Sequence, residues 1–136
     1  MNIFKNFQNN IKDIITALSD AGKLPADLEL KNITTEAPRD ASHGDIATNA
    51  AMVLVKQAKM KPRDIAQLIE GELIKIDTVE SVEIAGPGFI NIRLNADFIQ
   101  NQISEILDQG LDYGRSDLGA NEKVNVEYVS VNPTGP

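Results

Sequence analysis

Cysteine is absent from the 136-residue chain. Neither a disulfide nor a thiolate metal site can therefore form. Histidine occurs once, at His43. A lone imidazole excludes a two-histidine zincin and argues against any histidine-cluster metal site, so no metal ligands are assigned. The start, Met1-Asn2-Ile3-Phe4-Lys5, lacks the apolar run of a signal peptide, and no stretch is apolar enough to span a bilayer. A cytoplasmic protein with no membrane partner is expected. An excess of positive charge is missing too: the net charge is −7. Proteins that coat nucleic acid through bulk charge need clustered Lys and Arg, so that mode is disfavoured. Local contact stays open, because Lys56, Lys59, Lys61 and Arg63 fall close together. Such a patch can position a nucleic-acid backbone while the rest of the surface stays acidic. A solvated helix end and turn would read the same way.

What is present is enough for a core. Hydrophobic residues make up 42% of the chain, too many for a disordered one. The length suits one domain, or one small domain and a piece of another. In residues 2–20, Phe4, Phe7, Ile11, Ile14, Ile15 and Leu18 recur at spacings of three and four. That is one face of a helix, with Asn2 as N-cap and Gly22 as stop. Residues 28–35 alternate and end in β-branched side chains, which predicts a strand. A polar loop, Pro38 to Asp45, follows. Residues 45–58 read as a helix capped by Ser42 or Asp45, with an alanine-rich face. His43 stands just before that cap, as a general base, a base-contacting group or a structural residue of the loop. Pro62 opens a further helix whose stripe is Ile65, Leu68, Ile69 and Leu73. The short link 59–61 makes the two a helical hairpin.

Residues 79–84 alternate, and so do 89–94, with Ala85 to Gly88 as a four-residue link between antiparallel strands. A dinucleotide loop is rejected, because a strand and not a helix follows the glycines. In the second strand Ile90, Ile92 and Leu94 point one way and Phe89, Asn91 and Arg93 the other. The first set is core material. The second is a ring, an amide and a guanidinium, groups that can stack on a base, read its edge and hold a phosphate. Gly86 and Gly88 keep the approach free of side chains. Polar-out alternation is also what any half-buried strand shows. The architecture expected is α+β: a small antiparallel sheet of 79–84, 89–94 and 28–35, with helices on one face.

Residues 95–109 read as a helix capped by Asn95 or Asp97, with Phe98, Ile99, Ile103, Ile106 and Leu107 inward. Three regions follow from this pattern: a domain over 1–94, a connector helix and loop over 95–122, and the start of another domain over 123–136. In the last, Val124 to Ser130 has strand alternation and runs into Val131-Asn132-Pro133-Thr134-Gly135-Pro136. A strand followed by a Pro/Gly turn is how many α/β nucleotide-binding domains begin. With no partner strand in this sequence, residues 111–136 are expected to be mobile or to borrow a neighbour.

Three stretches together resemble the arginyl-tRNA synthetases, a family of class I aminoacyl-tRNA synthetases. They are His43-Gly44-Asp45-Ile46-Ala47-Thr48-Asn49-Ala50-Ala51, Gly86-Pro87-Gly88-Phe89-Ile90-Asn91 and Val126-Glu127-Tyr128-Val129-Ser130-Val131-Asn132-Pro133-Thr134-Gly135-Pro136. The resemblance implies an appended amino-terminal domain that contacts the D-loop at the tRNA elbow. Phe89 would stack on a D-loop nucleotide and Asn91 would read its edge. It implies that Glu127, Ser130 and Asn132 bind the arginine substrate, chemistry that suits a carboxylate, a hydroxyl and an amide. The complete enzyme would be an arginine–tRNA ligase of protein biosynthesis. It would activate arginine with ATP and Mg²⁺, then attach it to tRNA(Arg). The family's His-x-Gly-His ATP-binding element does not occur in this sequence. The chain by itself is therefore expected to need no cofactor, to hold no catalytic residue, to be inactive and to be a monomer. Two other functions fit parts of the sequence: a free-standing RNA-binding adaptor derived from such a module, and a protein-interaction domain using the alanine-rich face.

Overall fold

The computed structural model describes residues 2–115, 117, 119–120 and 122–126. The expected tail strand lies mostly outside them, as do Glu127, Ser130 and Asn132. Its described part, Val124 to Val126, is exposed and carries no strand pairing. The chain divides into two compact units at residue 101/102.

The first unit is α+β. Helix α1 (Ile3–Asp20) forms where the periodicity predicts it, and Asn2 caps it by accepting from the Lys5 N–H at 3.1 Å. It buries Phe7, Ile11, Ile15 and Leu18. The helix stops where Gly22 takes φ +71° and the N–H groups of Lys23 and Leu24 fold back on the Leu18 carbonyl. Helices α2 (Ala50–Ala58) and α3 (Pro62–Leu73) make the expected hairpin, with Pro62 at the first turn. Alanines 50, 51, 58 and 66 are buried, which lets these helices lie close to their neighbours.

The sheet has four antiparallel strands in the order β1 (Thr35–Glu36), β2 (Ile46–Thr48), β4 (Phe89–Leu94), β3 (Val79–Ala85). Register fixes the faces. Ile46, Ile92 and Val82 form one inner row, and Thr48, Ile90 and Ile84 the next. Ile46, Ile90 and Ile92 are fully buried in the core with the apolar stripes of α1, α2 and α3.

Two segments differ from the sequence reading. Residues 46–48 are a strand and not the first turn of a helix, because their backbone pairs with β4. Asp45 consequently caps no helix: its carboxylate accepts from the Leu94 N–H at 2.8 Å. Ser42 lies in a short 3-10 turn, Ala41–His43, capped by Asp40. The expected strand over 28–35 shrinks to Thr35–Glu36. Side-chain amides serve the preceding backbone instead. Gln57 accepts from the Glu29 N–H and donates to the Glu29 carbonyl, and Asn49 does the same for the Thr34 N–H and Asn32 carbonyl. The link between β3 and β4 is three residues, 86–88, one fewer than expected.

Helix α4 (Ala96–Gln109) is capped by Asn95, whose Oδ1 accepts from the Phe98 N–H at 2.8 Å. Phe98 packs against the core. Ile99, Ile103, Ile106 and Leu107, expected to face inward, are exposed. The second unit begins within this helix and continues through the turn Gly110–Asp112, where Arg115 pairs with Asp112 at 2.8 Å.

Candidate RNA-binding cleft

The outer face of the sheet carries the row Glu36, Ala47, Asn91, Glu83, one residue from each strand in register. Beside Asn91 on β4, Phe89 and Arg93 project to the same side. The three side chains have different surroundings. Phe89 is 45% exposed, large for an aromatic ring on a folded domain. Arg93 is exposed, and its Nη2 donates to the Ser42 carbonyl at 2.7 Å. Asn91 is buried to 6% exposure, where the alternation had put it on the wet side.

What covers Asn91 is the polar loop. Pro38, Arg39, Asp40 and His43 stand over the sheet and, with Glu36, Ala47, Phe89 and Asn91, line a cleft of about 500 Å³. Ala47 is small, so the Asn91 amide has room beside it. No protein group among the described residues makes a hydrogen bond with that amide, yet none of the buried polar side-chain atoms is sealed off without a partner. The amide therefore opens into the cleft with its donor and acceptor free. Phe89 also lines a second depression of about 220 Å³, with Thr34, Glu36, Thr48 and Asn49, so its ring stands between two hollows.

Three contacts lock the covering loop to β4: the Arg93 bond to Ser42, the Asp45 carboxylate on Leu94, and the Asp45 N–H donating to the Ile92 carbonyl at 2.9 Å. Gly44 makes them possible. Its φ is +117°, and a β-carbon there would lie 2.7 Å from the Ile92 carbonyl oxygen. The Asp40 carboxyl is held below its usual value, chiefly by the hydrogen bond from the Ser42 N–H, with a smaller contribution from His43. A depressed carboxylate contributes stability above its unfolded value and loses it as pH falls through the lowered one, and for a group this exposed the contribution is small. Gly86 faces open space, while Gly88 is buried against Pro62.

Of the sequence-predicted residues, the cleft unites Phe89, Asn91 and His43, with Arg93 tying down its wall. Glu36, Arg39, Asp40 and Ala47 join them. Only the breaker-rich loop pointed to Arg39 and Asp40 in the sequence. The sequence reading puts Ala47 on the alanine-rich face of a helix, whereas strand pairing with Asn91 brings it to the cleft. Among the described residues no group of three or more His, Asp or Glu could hold a metal ion. No helix among them is long and apolar enough to cross a membrane.

The comparisons with known proteins agree with one another. The sequence profile of the arginyl tRNA synthetase N terminal domain matches residues 5–94, the stretch that holds both the sheet and its cleft. Arginine–tRNA ligases of Xanthobacter autotrophicus and Parvibaculum lavamentivorans are each 53% identical over the whole chain. The chain spans 23% of the length of each. Arginyl-tRNA synthetase of Plasmodium falciparum, in its crystal structure, is similar in fold, with a TM-score of 0.62 at 17% identity. That likeness covers 76% of this chain and 18% of the other. A profile match over most of the chain, with relatives this similar from end to end, settles the family: this chain belongs to the arginyl-tRNA synthetases and carries their N-terminal domain.

Proposed function

We propose that this domain grips the elbow of tRNA(Arg) by taking a D-loop nucleotide into the cleft between β4 and the Pro38–His43 loop. The observation that carries this is Asn91: a buried amide, free of protein partners, at the floor of a cleft walled by an exposed phenyl ring. RNA is read at unstacked loop bases, by aromatic stacking and hydrogen bonds to base edges. Phe89 supplies the stacking surface. Asn91 offers one acceptor and two donors to the edge. Arg93 holds the wall and keeps further donors for the backbone, and Gly86 leaves the approach open.

On this reading the complete protein is a cytoplasmic arginine–tRNA ligase. ATP, Mg²⁺ and arginine belong to the catalytic region begun by residues 123–136, with Glu127, Ser130 and Asn132 on the amino acid. The described residues contribute the RNA contact alone. The 136-residue chain should accordingly give no arginine-dependent ATP–pyrophosphate exchange. Exchange above background by the pure chain refutes that assignment.

The test of the cleft is made in a complete arginine–tRNA ligase. Phe89→Ala should weaken every tRNA(Arg) variant, by about 1–3 kcal/mol of lost stacking. Asn91→Ala should flatten the preference among D-loop bases, where a well-placed amide discriminates by about 1–3 kcal/mol. Aminoacylation of tRNAs changed at each D-loop base measures both. Parent-like charging by both variants would leave this face an ordinary strand surface.

A further inference from the structure

The cleft holds a base but is poorly charged to hold a backbone. Glu36 and Asp40 line it beside Arg39 and His43, and Glu83 shares the outer face. Arg93 holds the Ser42 carbonyl with one nitrogen and is a single, partly engaged cation. In a chain of net charge −7, a polyanion needs cations from elsewhere. They stand at the corner between α2 and α3. Lys56, Lys59, Lys61 and Arg63 are all exposed, and none forms an ion pair among the described residues. Asp64, in the first turn of α3, is the one carboxylate in that run. Cations without acidic partners are available to a ligand at no cost in broken salt bridges.

The corner is packed against the turn that presents Phe89. A β-carbon on Gly88 would meet the Pro62 side chain at 2.9 Å and the Pro62 carbonyl oxygen at 3.1 Å. This explains the glycine at 88 better than an open approach does, since the residue is buried. Lys61 and Arg63 are the chain neighbours of Pro62, and Phe89 is the neighbour of Gly88. Two cations and the stacking ring thus flank a single tight contact.

We infer that Lys61 and Arg63, backed by Lys59 and Lys56, hold the phosphodiester backbone of the RNA strand whose base stacks on Phe89. The inference rests on the cleft reading proposed above. Phosphate contacts fix register without carrying sequence, whereas base contacts specify. Arginine can take two phosphate oxygens at once and lysine acts as a point charge. The corner would therefore set where the strand lies, and Asn91 would judge the base.

The experiment measures tRNA(Arg) binding to a complete arginine–tRNA ligase as a function of salt. Each phosphate contact to a single strand contributes about 0.7 to the slope of log affinity against log salt. Lys61→Gln/Arg63→Gln should lower that slope by about 1.4, so the parent's advantage shrinks about sevenfold between 50 and 200 mM salt. The loss should be equal for every D-loop base. Lys61→Arg/Arg63→Lys should keep the parent slope. A parent slope in the Gln variant, with Phe89→Ala still weakening binding, overturns the role of the corner and leaves the cleft standing. Parent binding by the Gln variant and by Phe89→Ala alike overturns both readings.

Discussion

Gly44→Ala should cost the domain about 3 kcal/mol, and a midpoint of thermal unfolding more than about 10 °C lower, the scale for a domain of this size. Two penalties combine. At φ +117° an L side chain is strained, which costs about 1–3 kcal/mol. The new β-carbon would also sit 2.7 Å from the backbone oxygen of Ile92, a contact that cannot be relieved by turning a side chain. Either β4 or the Ala41–His43 turn must move. Ile92 lies in the fully buried core, so the turn is the softer partner. Its displacement should break the Arg93–Ser42 bond and the Asp45 contacts, and open the cleft over Asn91. Gly22→Ala is the matched control. There φ is +71° and nothing lies within 4 Å of an added β-carbon, so the cost should stay near the 1–2 kcal/mol of left-handed backbone, roughly. Thermal melts of the two variants side by side measure the difference. Equal losses would mean that the close approach of Gly44 to β4 carries no weight.

The legibility of this fold divides along a physical line. Elements whose signal is periodic and local were readable. The apolar residues of α1, Pro62 at the head of α3, and the alternation of 89–94 each specify their own conformation. The segment 46–48 was not, because Ile46, Ala47 and Thr48 run straight into alanines at helical spacing. The choice is made by β4, which pairs with them from more than forty residues away. Likewise the short alternation at 28–30 arises because Leu28 and Leu30 pack inward, with Ile33 buried after them out of that period, and the backbone there is met by Gln57 and Asn49 in place of a strand. Alternation reports which side chains are buried, not what pairs the backbone. The exposed stripe of α4 shows the converse: amphipathic spacing asks for a partner, and none stands there among the described residues. At the cleft, the side on which these groups lie was legible and depth was not. Phe89 and Asn91 were readable as a ring and an amide on one side of β4, and both do line the cleft. That Asn91 sits at a floor follows only from the loop that folds over it and from the small residue, Ala47, across the register.

Two neighbours on β4 should respond to substitution in opposite ways. Ile92→Ala should destabilise the domain by about 2–5 kcal/mol, the range for deleting a fully buried branched side chain. Ile92 packs in the middle of the inner row, between Ile46 and Val82, in the core shared with the apolar stripes of the helices. Asn91→Leu, one position away and nearly as buried, should cost nothing and can raise stability. The reason lies in what each side chain satisfies. The Asn91 amide has no protein partner among the described residues, so replacing it by an apolar group of similar size breaks no hydrogen bond. A buried polar group in such a position costs stability of about 1–3 kcal/mol when it is unpaired, less where cleft water reaches it. On the function proposed above, the same substitution should also remove discrimination among D-loop bases in a complete arginine–tRNA ligase. Stability gained where recognition is lost is the mark of a residue held for a ligand. Chemical denaturation of the two variants, with the slope of the transition checked for constancy, gives the comparison. If Asn91→Leu loses more than about 1 kcal/mol, the size of an ordinary buried hydrogen bond, the amide is bonded within the fold and is not held for RNA.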